Sequence, residues 1–178
     1  MNKKLITIID KFSVFGGTLS GIMIFSSLIL IVAEIITRTI FNNTLYVAEE
    51  YSGYLMCGLT FMALGITLRE KGHIRMTFLQ NIIKNPRHIL VLDMICYVIG
   101  FIFSICITYF LVMFFWDSVI SNSRSMRISE TYLAIPQFFM PFGSFMLALQ
   151  FLSEFLKNHM ALKTGKIEVI EEDKSLGK

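Results

Sequence analysis

The chain has 178 residues, 54% of them hydrophobic and only 16% charged, with 16 Lys and Arg against 13 Asp and Glu and a formal net charge of +3. A soluble domain carries roughly 25% charged residues. The charges here gather between long uncharged stretches, which leaves no room for a soluble catalytic domain and no continuous basic patch for nucleic acid. Cys57, Cys96 and Cys106 all fall in apolar runs without CxxC spacing, so they read as small hydrophobes rather than a disulfide framework, redox pair or zinc site.

A helix crosses the hydrocarbon core of a bilayer with about 20 apolar residues. The interval between Lys11 and Glu34 meets that length and predicts a first span over residues 14–36. Lys3 and Lys4 precede it like the basic region of a signal peptide. The apolar run is too long for that reading and no A-x-A cleavage site follows, so a retained anchor is expected. Gly17 and Gly21 form a GxxxG pattern. Glu34 and Arg38, four apart, share a helix face and can pair. The alternative is that Glu34 serves as a proton or substrate site.

A short loop, residues 37–47, leads to a second span over 48–68. Glu49 and Glu50 open it, where carboxylates interact well with the positive end of a helix dipole. Two adjacent glutamates at a membrane boundary also invite a basic partner, either Arg38 across the loop or another polypeptide. Gly53, Gly58, Ala63 and Gly65 follow. Gly58 and Gly65 lie seven apart on one face, and such small residues let membrane helices approach closely. The packing partner is either the same chain or another one. Arg69, Lys71 and Arg75 anchor the end of this span at the lipid surface, Gly72 permits a change of direction, and His73 follows. Residues 74–83 place Ile74, Phe78, Leu79, Ile82 and Ile83 on one arc, which predicts a short helix in the membrane interface, although Arg75 falls within that arc.

The third span, residues 89–115, is long enough to require tilt. A polar loop over 116–134 precedes a fourth span over 135–156. Pro136 suits a first helical turn. Pro141, five residues on, should bend the helix or mark its true start. Residues 157–178 form a charged tail. The fold class is therefore all-α, a polytopic protein with a single four-helix membrane domain over residues 1–156. Thirteen of the sixteen basic residues lie in the N-terminal tail, the second loop and the C-terminal tail; Arg38, Arg124 and Arg127 lie on the other side. That asymmetry predicts cytoplasmic termini. His73, His88 and His159 all lie outside the spans, which argues against a membrane haem. No HExxH, GxSxG or phosphate-loop motif occurs, and neither enzyme activity nor a metal or cofactor is expected. No internal repeat supports a self-contained transporter core.

The run from Arg38 through Asn42, Asn43, Tyr46, Glu49 and Glu50, then Gly65 to Arg69, then Gly72-His73-Ile74, resembles the small membrane subunit of tripartite ATP-independent periplasmic (TRAP) transporters, the DctQ-like family. Thr131, Pro136 and Pro141-Phe142-Gly143 resemble that family's fourth span. Tyr46 stands where relatives often carry tryptophan. The resemblance covers about residues 14–156. It implies an accessory scaffold subunit of a sodium-coupled symporter in a bacterial inner membrane. Its partners would be a large membrane subunit on a separate chain, which carries the substrate, and an extracytoplasmic binding protein that delivers organic acids. On this view Arg38, Glu49, Glu50, Gly53, Gly58, Gly65, Arg69 and His73 are partner-interface or structural residues, and none binds substrate. The competing expectation is a self-sufficient small proton-coupled exporter using Glu34.

Overall fold

The structure, a computed structural model, describes residues 2–70, 86–127 and 129–164. Helix α1 covers Asn2–Phe41, α2 Tyr46–Arg69, α3 Pro86–Ile120, α4 Ala134–Gln137 and α5 Phe139–Thr164. Among the described residues four segments are long and apolar enough to cross a membrane: α1, α2, α3 and the combined α4–α5. The expected all-α, four-span architecture is the observed one. His73 and the stretch 74–83 expected to lie in the interface fall outside the described residues.

The helices outrun the charge-free intervals that reveal them. At 40 residues and 1.5 Å per residue, α1 is about 60 Å long, roughly twice a hydrocarbon core. Loss of apolar character marks where lipid ends, whereas a helix ends only where something interrupts its backbone. For α1 that interruption is Asn42, whose φ of 50° places it in the left-handed region that asparagine tolerates at a helix C-terminus. Helix α3 starts on Pro86, whose missing N–H costs nothing in a first turn. It closes with paired bonds from Asn122 N to the Val119 carbonyl (3.4 Å) and from Ser123 N to the Ser118 carbonyl (3.2 Å). With Asn122 at φ 49°, this is a Schellman motif. In the last span a break at Phe138 separates α4 from α5. Pro141, three residues later, has no N–H to give the Gln137 carbonyl, so the helix cannot run through unbroken.

Helices α1, α2 and α5 pack against one another as a triangle, and α3 lies chiefly along α5. The closest approaches occur where side chains are smallest. At Gly16 of α1 a Cβ would stand 2.8 Å from the Met62 carbonyl oxygen of α2, and at Gly143 of α5 it would meet the Phe61–Met62 backbone of α2. Met62, 1% exposed, is thus the crossing point of three helices. Gly58 lies under Met23, Gly65 under Ser13, and Gly100 of α3 under the Phe151 ring. The α3–α5 seam is hydroxyl-lined, with Thr108 Oγ1 2.9 Å from Ser144 Oγ and both Ser104 and Ser144 buried. Small and hydroxyl-bearing contacts of this kind are what hold helices together in a medium as apolar as their own side chains. The outward faces of α1 and α3 carry exposed Ile, Leu, Val and Phe.

Candidate functional site

Two polar clusters stand at opposite ends of the bundle. The first is at the loop end, where α2 begins. Residues 123–127 and 129–133 form a strap that doubles back on itself: Ser125 N donates to the Thr131 carbonyl (2.9 Å), Leu133 N to the Ser123 carbonyl (3.1 Å), and Arg124 faces Tyr132 in an antiparallel bridge. The strap reaches across to the first turn of α2. Arg127 pairs with Glu49 at 2.9 Å, both side chains exposed. Ser129 Oγ donates to Glu50 Oε2 at 2.5 Å, and Tyr54 OH donates to Glu50 Oε1 at 2.6 Å. Thr131 links Ser129 (2.8 Å) to Tyr51 (3.1 Å). Glu50 is only 6% exposed; a carboxylate can sit there because each oxygen receives a hydroxyl, which replaces the water it has lost. The Glu49 carboxylate, through its hydrogen bond and its charge, raises the Arg127 guanidinium above its ordinary range.

The residues singled out from sequence divide accordingly. Glu49 and Glu50 do find partners, but in the strap rather than in Arg38. Arg38 instead pairs one turn back with Glu34 at 2.6 Å, because a neighbour on the same helix face needs no loop to bend. Gly58 and Gly65 are buried between α2 and its own-chain neighbours, whereas Gly53 is exposed with nothing near where a Cβ would be. Gly17 packs against Ile66 while Gly21 is open, so the GxxxG pattern is only half used within the chain. Arg69 sits at the far end of α2, 3.5 Å from its neighbour Glu70.

The second cluster lies at the end of the bundle where α1 starts and α5 finishes, and the sequence reading missed it. Gln150 is fully buried. Its Oε1 accepts from Ser13 Oγ (2.6 Å), and its Nε2 donates to Asp10 Oδ1 (3.2 Å) and to Glu154 Oε1 (3.0 Å). Lys157 bridges the same two carboxylates, at 3.0 Å from Asp10 and 2.7 Å from Glu154. Ser153 Oγ adds a donor to Asp10 at 3.3 Å. A single amide thus spends both of its protons on two acids and its oxygen on a hydroxyl, which fixes its orientation. The signal was present as Gln150, Ser153, Glu154 and Lys157, spaced so that all four fall on one helical face. Glu154 and Lys157 read instead as the boundary of a span.

The strap stores some backbone strain. Glu130 has φ 44°, a region that costs a non-glycine residue about 1–2 kcal/mol. Its side chain is exposed and 3.9 Å from Arg124, a contact worth little. Glu130→Gly is therefore expected to stabilise the chain by about 0.5–1 kcal/mol, the relief being partly offset by the freedom glycine adds to the unfolded chain. Thermal unfolding in detergent would measure it, and a lower midpoint would show that the Arg124 contact matters more than the backbone.

Chemically, these clusters hold helices together. Their donors and acceptors satisfy one another, and among the described residues no group of three His, Cys, Asp or Glu is placed to hold a metal ion. The family model described as tripartite ATP-independent periplasmic transporters, DctQ component, matches residues 27–159, which includes the whole strap, α2, α3 and most of α5. Comparisons with curated proteins and with solved structures give no match.

Proposed function

Because this chain belongs to the DctQ component family of the tripartite ATP-independent periplasmic transporters, we propose that it is the fixed, non-transporting scaffold of a sodium-coupled importer of organic acids. It binds a large membrane subunit, which performs the transport. An extracytoplasmic binding protein supplies the substrate. The observation that carries this reading is the family match across three-quarters of the chain, residues 27–159. It is supported by polar clusters whose groups are spent on bracing helices, and by wide apolar faces on α1 and α3 suited to lipid or to another membrane protein. The excess of basic residues near the termini and in the second loop orients both termini toward the cytoplasm of the inner membrane. In this reading Glu50, Gly58 and Gly65 are structural, Glu50 through the strap it holds, and Arg38, Glu49 and Gly53 stand near the partner.

Purification of the tagged chain in mild detergent tests the proposal. A large, many-span membrane protein should accompany it in fixed ratio, and a chain recovered monodisperse and alone would refute the scaffold role. The small-exporter alternative requires an available Glu34, and Arg38 already holds that carboxylate. Transport by the purified chain alone in liposomes would revive it. A further expectation is that Glu50→Ala and Arg38→Ala reduce recovery of the complex severalfold while leaving the sodium dependence of transport by the remaining complexes unchanged. Unchanged assembly with lost sodium coupling would place these residues in the transport machinery instead.

A further inference from the structure

The four spans differ in how apolar they are, and burial explains only part of the difference. Helix α5 is among the less apolar, and it is also the most enclosed, so its polar groups lie inside the bundle. Helix α2 is nearly as polar as α5 but about half as enclosed. Glu50, Gly58 and Gly65 account for the buried part of its polarity, and the rest faces outward. The exposed positions of α2 are Tyr46, Val47, Glu49, Tyr51, Gly53, Met56, Thr60 and Thr67. Of these, Glu49, Gly53, Met56, Thr60 and Thr67 repeat at the three- and four-residue steps of a single helix face. Beyond Tyr51, Met56 is the only large apolar residue that this helix exposes. The contrast with α1 and α3 is sharp: at matching depths they expose Phe25, Leu28 and Ile29, and Ile99, Ile102 and Phe103.

A face turned to acyl chains gains from bulky apolar groups and loses from a carboxylate or a bare helix backbone. A face turned to another helix gains from close backbone approach and from hydroxyls that can bond across the seam. The Thr60 and Thr67 hydroxyls donate back to the Met56 and Ala63 carbonyls of α2, both at 2.8 Å. Each keeps oxygen lone pairs free for a donor from outside. At Gly53 there is open space where a Cβ would be, and at the loop end of the same face stands the exposed Glu49 carboxylate beside Arg127. This sequence of groups is suited to a protein helix and poorly suited to lipid.

We infer that the outward face of α2, from Glu49 through Gly53, Met56 and Thr60 to Thr67, is the seat of a transmembrane helix of the large membrane subunit, while α1 and α3 turn bulky faces to lipid. The inference rests on the transporter reading above and names the contact surface that reading leaves open. It also divides the glycines of α2 by role: Gly58 and Gly65 pack inside the chain, and Gly53 admits the partner.

The test is site-specific photo-crosslinking in the intact complex, in membranes. A compact alkyl-diazirine side chain, no bulkier than methionine, is placed at Met56 or Thr60, and as controls at Ile29 of α1 and Phe103 of α3. Crosslinks to the large subunit from positions 56 and 60, at least tenfold above those from 29 and 103, are the expected result. Stronger crosslinks from either control, equal ones from all four sites, or none while the complex still co-purifies would overturn the assignment of the face and leave the scaffold function standing. Adducts to a second copy of this chain would overturn the occupant. Failure of the unsubstituted chain to bring down any large subunit would defeat the scaffold reading, and this inference with it. As an independent arm, Thr60→Trp should lower recovered complex at least tenfold without changing the thermal unfolding of the isolated chain, and full recovery would count against the seat.

Discussion

Gly143→Ala is expected to cost the isolated chain about 3 kcal/mol, the upper part of the usual range for forcing an extra group into a packed interior. The added methyl would fall against the Phe61 carbonyl group of α2, 2.5 Å from its carbon and 2.9 Å from the Met62 nitrogen. These are backbone atoms in the middle of a helix. They cannot rotate aside, so relief requires α2 and α5 to separate along their shared seam, and α1 would lose its contact through Gly16 on the same Met62. Gly100→Ala provides the comparison. Its methyl would also meet atoms at 2.5 Å, but they belong to the Phe151 ring, a side chain that can swing, and a cost of about 1 kcal/mol is expected. Gly53→Ala meets nothing within 4 Å and should stabilise the isolated chain by about 0.5–1 kcal/mol through helix propensity alone. Unfolding in detergent by increasing denaturing surfactant would rank the three. A Gly143→Ala chain as stable as the unsubstituted one would mean that the helices do not approach through this residue.

This ordering shows what could be read from the residues and what could not. Four apolar intervals bounded by charge identify four spans, because the cost of a charge in lipid is large and acts position by position. Helix ends were less legible. The signals that end α1 and α3 are single asparagines at left-handed φ, Asn42 and Asn122, and asparagine occurs in many other settings. Contacts between spans were the least legible of all. Gly53, Gly58 and Gly65 look alike in sequence, yet only the last two are covered by Met23 and Ser13 of α1. Which glycine is covered depends on the rotation of α2 about its axis, and packing sets that rotation, not any local preference. The same limit explains Glu50. Its importance was visible from its place at a membrane boundary, but its partner Ser129 lies 79 residues away, in a loop whose path no periodicity encodes. In hindsight the concentration of Ser, Thr and Arg between residues 121 and 131 was a signal, since so many hydrogen-bonding groups in so apolar a chain need somewhere to bond.

The cluster at the terminal end supports the other large prediction. Asp10 and Glu154 are 20% and 8% exposed in their side chains, and Lys157, 31% exposed, is the cation that both of them contact. Removing one partner of a fully buried ion pair costs about 3–5 kcal/mol, because the remaining charge is left without compensation. Here water and lipid headgroups reach part of the lysine, so about 2–3 kcal/mol is expected for Lys157→Met after allowance for screening. The loss should be visible as detachment of the start of α1 from α5, since Asp10 is the α1 group that Lys157, Gln150 and Ser153 all grip. If the penalty is uncompensated charge rather than lost packing, a second change should repair it. Asp10→Asn in the Lys157→Met background removes one of the two stranded carboxylates and still offers its amide oxygen to Gln150 and Ser153. It should recover about half of the loss, whereas Asp10→Asn alone should destabilise, because it deprives Lys157 of a partner. The double-mutant cycle, read from unfolding midpoints in detergent, isolates this coupling. Additive losses would assign the role of Lys157 to its four-carbon stem lying along α5, and the polar network would then be a consequence of the packing of α1 on α5 rather than one of its causes.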